Sequence, residues 1–195
     1  MKAWISTRQV ADLAVLAACN GALELTLGTF LHATHLPLAG SVMVGLNLVV
    51  YAVGHQRVPR RGAILAIGLG TAFLNAVFVG GFKLMALPAI VIEAAVLDLL
   101  LSSGGLGRLN LAIAGAISNL VALGWSLTTG LLVLGLDPHA ALARLLHADS
   151  TGHLSLLALV GILGAVRVLV GVLFALLAWR VLGLVDSALE AQTEA

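Results

Sequence analysis

Four ionisable residues stand where a purely structural membrane helix would carry none: Glu24, Glu93, Asp98 and Arg167. They interrupt the apolar runs "ALELTL", "IVIEAAVLDLL" and "GAVRVLVG". A charge at the centre of a bilayer costs about 2.5–3.5 kcal/mol on insertion scales, so its default reading is functional and a partner is expected. Glu93 and Arg167 lie deepest, roughly 15–20 Å from the end of their apolar segments at about 1.5 Å per residue. Opposite charges at one depth either pair with each other, fixing helix packing, or share a ligand. Gly164 and Gly171 fall three before and four after Arg167, on its own helical face. They leave room beside the guanidinium for a neighbouring helix or for a ligand. Asp98, five positions past Glu93, points towards the other half of the membrane.

Further polar residues extend this set. Glu24 lies one to two turns beneath "LGTFLHATHLPLAG" (27–40), which holds His32 and His35. Asn75 is at similar depth in its segment and Asn47 is deeper. Trp125, Ser126, Thr128 and Thr129 cluster near the end of another. In a compact bundle these converge on a polar pocket with aromatic and hydroxyl lining, which suits a small organic solute. For any one of them, interhelical hydrogen bonding serves equally well. Pro88 is expected to kink its helix above Glu93 and free a carbonyl.

Two other chemistries compete. His32, His35, His139, His147 and His153, with Asp137 and Asp149, offer imidazole and carboxylate ligands to a divalent cation such as zinc or nickel. Glu24, Glu93 or Asp98 could serve as acid or base in a membrane enzyme, but no nucleophile converges on them. HExxH, GxSxG and the Walker lysine loop are absent, and "GLG" at 68–70 and "GGLG" at 104–107 lack the strand–turn–helix setting of a phosphate site. The chain is therefore expected to be no enzyme, to need no cofactor and to hold no resident metal.

The elements that position these residues follow from composition. Of 195 residues, 61% are hydrophobic and 10% charged, with a mean hydropathy of +1.11. A soluble domain carries roughly 25% charged residues, so lipid is the expected solvent. Apolar segments run over approximately 9–31, 37–55, 62–81, 84–102, 109–135 and 154–183. Since about 20 apolar residues cross a bilayer, the expectation is all-α: a polytopic bundle of six transmembrane helices forming one integral domain over 1–195. A net charge of +1 gives no sign of nucleic acid. The single cysteine, Cys19, excludes an intrachain disulfide. "LAAC" at 16–19 has the look of a lipoprotein cleavage box, but Asp12 breaks the apolar stretch ahead of it, so the first span is expected to be retained. Lys2, Arg8, Arg57, Arg60, Arg61, Arg108 and Arg180 fall on one side, and Lys83 and Arg144 on the other. The positive-inside rule then puts both termini in the cytoplasm and every histidine except His55 outside. The stretch 137–153 is amphipathic, with Leu142, Leu145 and Leu146 on one side, and fits a helix lying on the membrane surface.

In the first span, Ala14, Ala18 and Ala22 recur every four residues. Such a stripe serves close packing or the docking of another membrane protein. With this stripe, six spans, an outward first loop and the phrases "LHATHLPLAGSVMVGLNLVVYAVG", "VPRRGAILAIGLGTAFLN" and "AIVIEAAVLDLLL", the chain resembles the substrate-binding S components of energy-coupling factor (ECF) transporters. The resemblance covers roughly residues 8–102; spans five and six match in layout alone. It implies a high-affinity binder in the cell membrane that joins a transmembrane coupling subunit and two ABC ATPase subunits, and reorients to carry its substrate inward. Ala14, Ala18 and Ala22 would dock the coupling subunit, and the 30–37 loop would cap the pocket. Lys83, Glu93 and Arg167 would contact the ligand, with Glu24, His32, His35 and Asn75 completing the candidate site. No motif diagnostic of thiamin, riboflavin or biotin is present, nor the Met-His start of the nickel and cobalt branch. A small water-soluble micronutrient, a vitamin or its precursor, is the expected substrate, with a divalent metal ion as the alternative.

Overall fold

The computed structural model describes residues 6–34, 38–79, 85–146 and 155–193. The first helix starts where Ser6 and Gln9 close a reciprocal cap. The Gln9 amide donates to Ser6 Oγ at 3.2 Å and the Ser6 amide to Gln9 Oε1 at 3.1 Å, satisfying two of the N–H groups a helix start leaves open. From there the described elements are all helical: α1 Thr7–Leu23, α2 Thr29–Ala33, α3 Ala39–Arg57, α4 Ala63–Val79, α5 Ala86–Gly104, α6 Arg108–Thr128, α7 Pro138–Leu146 and α8 Leu156–Thr193. Two π-helical turns extend α1 and α6, at Glu24–Gly28 and Thr129–Val133.

Four continuous helices are long and apolar enough to cross a membrane: Thr7–Leu31, Ala86–Gly104, Arg108–Val133 and Leu156–Ala188. The segments expected at 37–55 and 62–81 are helical too, as α3 and α4. At 17 residues, α4 is apolar but short. α3 has 19 residues but carries Ser41, Asn47, His55 and Gln56. Its polarity has a structural reason: α3 packs against α1, α4, α5, α6 and α8 and buries eleven of its 19 residues. A helix surrounded by protein has no need of the apolar surface that lipid demands. The outer faces carry that surface instead, with Phe73 68%, Phe78 70%, Leu109 75% and Leu157 86% exposed. Large apolar side chains displayed over several helices are unstable in water, and with the long apolar helices they mark a membrane-embedded protein.

Two apolar clusters hold the bundle. The larger joins Leu48, Tyr51, Ile64, Ile67, Leu97, Leu101 and Leu111 with residues of α1 and α8. The smaller joins Leu123 of α6, Leu142 of α7, and Leu159 and Leu163 of α8. α7 therefore turns its leucine face into the bundle and not onto a membrane surface; Asp137 caps it, accepting from the His139 and Ala140 amides at 2.9 and 3.0 Å. The room beside Arg167 is taken by a helix. A Cβ on Gly171 would strike the Gly115 carbonyl of α6, one on Gly115 would strike the Gly171 carbonyl, and one on Gly164 would touch only Leu120 at 3.8 Å.

Asp98 serves the fold. Its carboxylate accepts from the Gly62 amide at 2.7 Å and the Ile64 amide at 3.0 Å, capping α4 from a neighbouring helix where the dipole favours a negative charge. Pro88 falls in the first turn of α5, where its missing N–H would have had no intrahelical partner, so it removes no helical hydrogen bond. Asp98→Ala should leave both amides unpaired and cost about 2–3 kcal/mol. Thermal melts in detergent should show this loss, with Asp98→Asn, which keeps one acceptor oxygen, losing less than half as much.

Candidate functional site

Between the two apolar clusters lies a cavity of ≈ 340 Å³, within the size range of small-molecule sites. Six helices wall it. α3 brings Met43, Val44 and Asn47; α5 brings Ala89, Ile90 and Glu93; α6 brings Ala122, Trp125 and Ser126. Glu24 and Thr129 come from the two π-helical turns, Ala141 and Leu145 from α7, and Arg167 from α8. A π turn inserts one residue into the helical repeat and re-aims the side chains around it, and such turns concentrate at functional sites. Here both face the same space.

The polar centre is a trio. The Asn47 side-chain amide donates to Glu24 Oε1 at 3.0 Å and to Glu93 Oε2 at 3.4 Å. One nitrogen thus draws two carboxylates together, Glu24 half-buried and Glu93 5% exposed, with Asn47 itself 1% exposed. Gly28, one turn beyond Glu24, admits this arrangement: a Cβ there would sit 3.3 Å from Glu24 Oε2 and 3.5 Å from the Met43 methyl. The second oxygen of Glu93 and the Asn47 carbonyl are buried without a hydrogen-bond partner.

Arg167 lines the same cavity, 5% exposed. Among the described residues it makes no hydrogen bond and no ion pair, and its buried Nε is unpartnered. Of the two roles open to Glu93 and Arg167, the direct pair is not formed; both face the cavity instead. A desolvated guanidinium without a partner among the described residues is expensive, and the space it faces is large enough to admit one.

The remaining wall is acceptor-rich. Ser126 and Thr129 donate their single hydroxyl protons to the Ala122 and Trp125 carbonyls, each at 2.8 Å, leaving lone pairs free. The Trp125 indole N–H donates to the Met85 carbonyl at 3.1 Å, tying α6 to the start of α5. Thr128 bonds back to Gly124 at 2.8 Å on an exposed face. Below the cavity, Asn20 donates to Tyr51 Oη at 3.4 Å and Thr71 Oγ1 at 3.3 Å, a buried network joining α1, α3 and α4.

Of the anticipated site residues, Glu24, Glu93 and Arg167 come together on the cavity. Asn75 is buried on α4 with its amide turned back to the Thr71 carbonyl at 3.0 Å, and does not join the described lining. His32 belongs to α2 by its backbone, and His35 and Lys83 lie outside the described residues. Ala14, Ala18 and Ala22 are all exposed along one side of α1. The part α7 takes in the wall was missed; the amphipathic leucines of 142–146 were its signal, read as a membrane-facing stripe. Among the described residues, no group of three or more His, Cys, Asp or Glu gathers as a metal site. Comparison with protein-family models, curated proteins and solved structures returns no match.

Proposed function

We propose that this chain is the substrate-binding subunit of a membrane importer of the energy-coupling factor type, holding a small water-soluble solute in the cavity between its helices. The observation that carries this reading is Arg167, buried without a partner among the described residues and facing a cavity that Glu24 and Glu93 also line. Structural ion pairs close on themselves; a buried guanidinium left open beside a cavity of ≈ 340 Å³ fits a binding site. In this reading α3 and α4 also lie within the membrane, giving six spans with both termini cytoplasmic, by the excess of Lys and Arg on that side. The cavity then opens outward, with α7 at its mouth and Asp98 in the cytoplasmic half.

The sequence holds no Walker lysine loop, so in this reading uptake against a gradient draws on ABC ATPase subunits through a transmembrane coupling subunit. Ala14, Ala18 and Ala22 are the docking stripe, their small side chains exposed along α1 and free to meet another helix closely. Affinity purification of the chain expressed with its coupling and ATPase subunits tests this. Ala14→Trp with Ala18→Trp should lower recovery of the partners at least about tenfold, the loss of a well-packed interface centre, while the melting temperature of the purified chain stays unchanged. Full recovery of the partners with both tryptophans in place would remove the docking claim.

A further inference from the structure

Two unspent donors on the cavity wall, Arg167 and the first turn of α3, stand at the same level. Helices α3 and α8 pack side by side and run in the same direction. Near the end of α3 the Gln56 side-chain amide donates to the Leu182 carbonyl and to Asp186 of α8, and further up a Cβ on Gly45 would strike the Phe174 ring. Arg167 stands 15 residues before Leu182, and Gly40 stands 16 before Gln56. Each therefore lies roughly 22–24 Å from that contact at about 1.5 Å per residue. A helical side chain leans towards the start of its own helix, which carries the guanidinium towards the end where α3 begins.

Arg167 is 5% exposed and lines the cavity. Its Nε is shut inside the wall; the two terminal nitrogens are not, and among the described residues they bond to nothing. The start of α3 is open in the same way. No side chain caps it, and its first turn holds no acidic residue. The Ser41 and Val42 amides donate to the Leu38 carbonyl, while Gly40, which lines the cavity, keeps its amide unspent among the described residues. A Cβ on Gly40 would meet nothing within 4 Å, so another group has room beside it. A guanidinium and a helix start both favour a negatively charged acceptor. The acceptors of the wall lie elsewhere. Asn47, which draws Glu24 and Glu93 together, is seven residues past Gly40, roughly 10 Å along α3. Its carbonyl oxygen and the second Glu93 oxygen are closed off within the wall. Between the two levels the lining is apolar, with Met43 and Val44 of α3 and Ile90 of α5. We propose that the solute held here is an organic carboxylate, its carboxylate seated between Arg167 and the first turn of α3 at Gly40 and its apolar body lying along Met43, Val44 and Ile90. This rests on the binding-subunit reading above. A carboxylate brings one charge to the one guanidinium; a phosphate monoester would bury a second, unmatched charge.

A matched series of probes tests it on the full-length protein in a non-ionic detergent: 3-phenylpropanoate, its neutral amide 3-phenylpropanamide, 3-phenylpropylamine and inorganic phosphate. The carboxylate is expected to bind with Kd on the order of 1 mM, read as thermal stabilisation and by calorimetry. The amide should bind at least about tenfold more weakly, and the amine and phosphate negligibly. Arg167→Met should erase the preference for carboxylate over amide, so that the two bind alike. Arg167→Lys keeps the charge but loses the fork, and should fall between wild type and Arg167→Met. Gly40→Leu fills the space beside the first turn of α3 without striking a neighbour. It should weaken the carboxylate at least about tenfold, while the melting temperature without probe holds. Any small molecule released on denaturing the purified protein should be a carboxylic acid detected as a negative ion.

Four results each overturn the carboxylate assignment and leave the binding reading standing: amide or amine bound as well as the carboxylate, phosphate bound more tightly than it, release of a cation or a phosphate ester, or a preference for carboxylate over amide unchanged in Arg167→Met. No response to any of the four probes, together with no released molecule, overturns both.

Discussion

Arg167→Met is expected to make the ligand-free protein more stable and at the same time to abolish its function. The two effects share one cause. Arg167 is buried and makes no hydrogen bond or ion pair among the described residues, so the fold bears its desolvation without return. An arginine at mid-membrane costs about 2.5–3.5 kcal/mol on insertion scales, and methionine fills a comparable apolar volume at no such cost. The gain should be about 1–4 kcal/mol, as seen when buried charges elsewhere give way to apolar residues. At roughly 2–4 °C per kcal/mol for a chain of this size, the apparent melting temperature should rise by about 5 °C. In the proposed binding role the same substitution removes a donor that would meet the ligand, a loss of about 2–4 kcal/mol or roughly 30- to 1,000-fold in affinity. Arg167→Lys separates charge from fit: it keeps the buried cation, so stability stays near wild type, but loses the planar fork, so binding falls. A fall in melting temperature with Arg167→Met would mean that the guanidinium holds the fold together, and the cavity would lose its claim to a ligand.

That contrast shows what the sequence makes legible. Glu24, Glu93 and Arg167 are conspicuous in it because each breaks an apolar run at a known energetic cost, and all three meet at the cavity. Asp98 breaks a run in the same way, yet it caps α4. Its partners, the Gly62 and Ile64 amides, come from a turn more than thirty residues earlier, and nothing in the local pattern announces that meeting. Asn47 is visible as a polar residue, but its bridging of two carboxylates depends on the crossing of α1, α3 and α5. The helices themselves are legible from length and apolarity. The central place of α3 is not, because a polar helix enclosed by protein and a polar helix facing water can look alike in sequence. For α7, the leucine stripe fixes that one face is buried without saying whether lipid or the bundle buries it.

Gly171→Val is expected to have the largest effect on the fold. Helices α6 and α8 cross with backbone against backbone: a Cβ at Gly171 would collide with the carbonyl of Gly115, and one at Gly115 with that of Gly171. A carbonyl cannot swing aside as a flexible side chain can, so the helices must separate along the whole contact. Overpacking of this kind costs about 1–3 kcal/mol for a modest insertion. For valine against a rigid backbone we expect the upper end or beyond, a fall of about 10 °C in melting temperature, and poor recovery from membranes. Gly171→Ala should lie between. Gly164 lies on the same face of α8 at similar distance from Arg167, but a Cβ there meets only Leu120 at 3.8 Å, ordinary contact. Gly164→Ala should therefore be neutral or stabilise by about 0.5–1 kcal/mol through the helix preference of alanine over glycine. Two glycines with one sequence environment thus carry opposite predictions, and equal effects from both would show that α6 does not cross at Gly171. The crossing also governs the site, since Arg167 lies one turn from it. Any separation at Gly171 lifts the guanidinium away from the carboxylates across the cavity. Gly171→Ala should accordingly weaken ligand binding by more than its modest loss of stability alone would produce, while Gly164→Ala leaves binding intact.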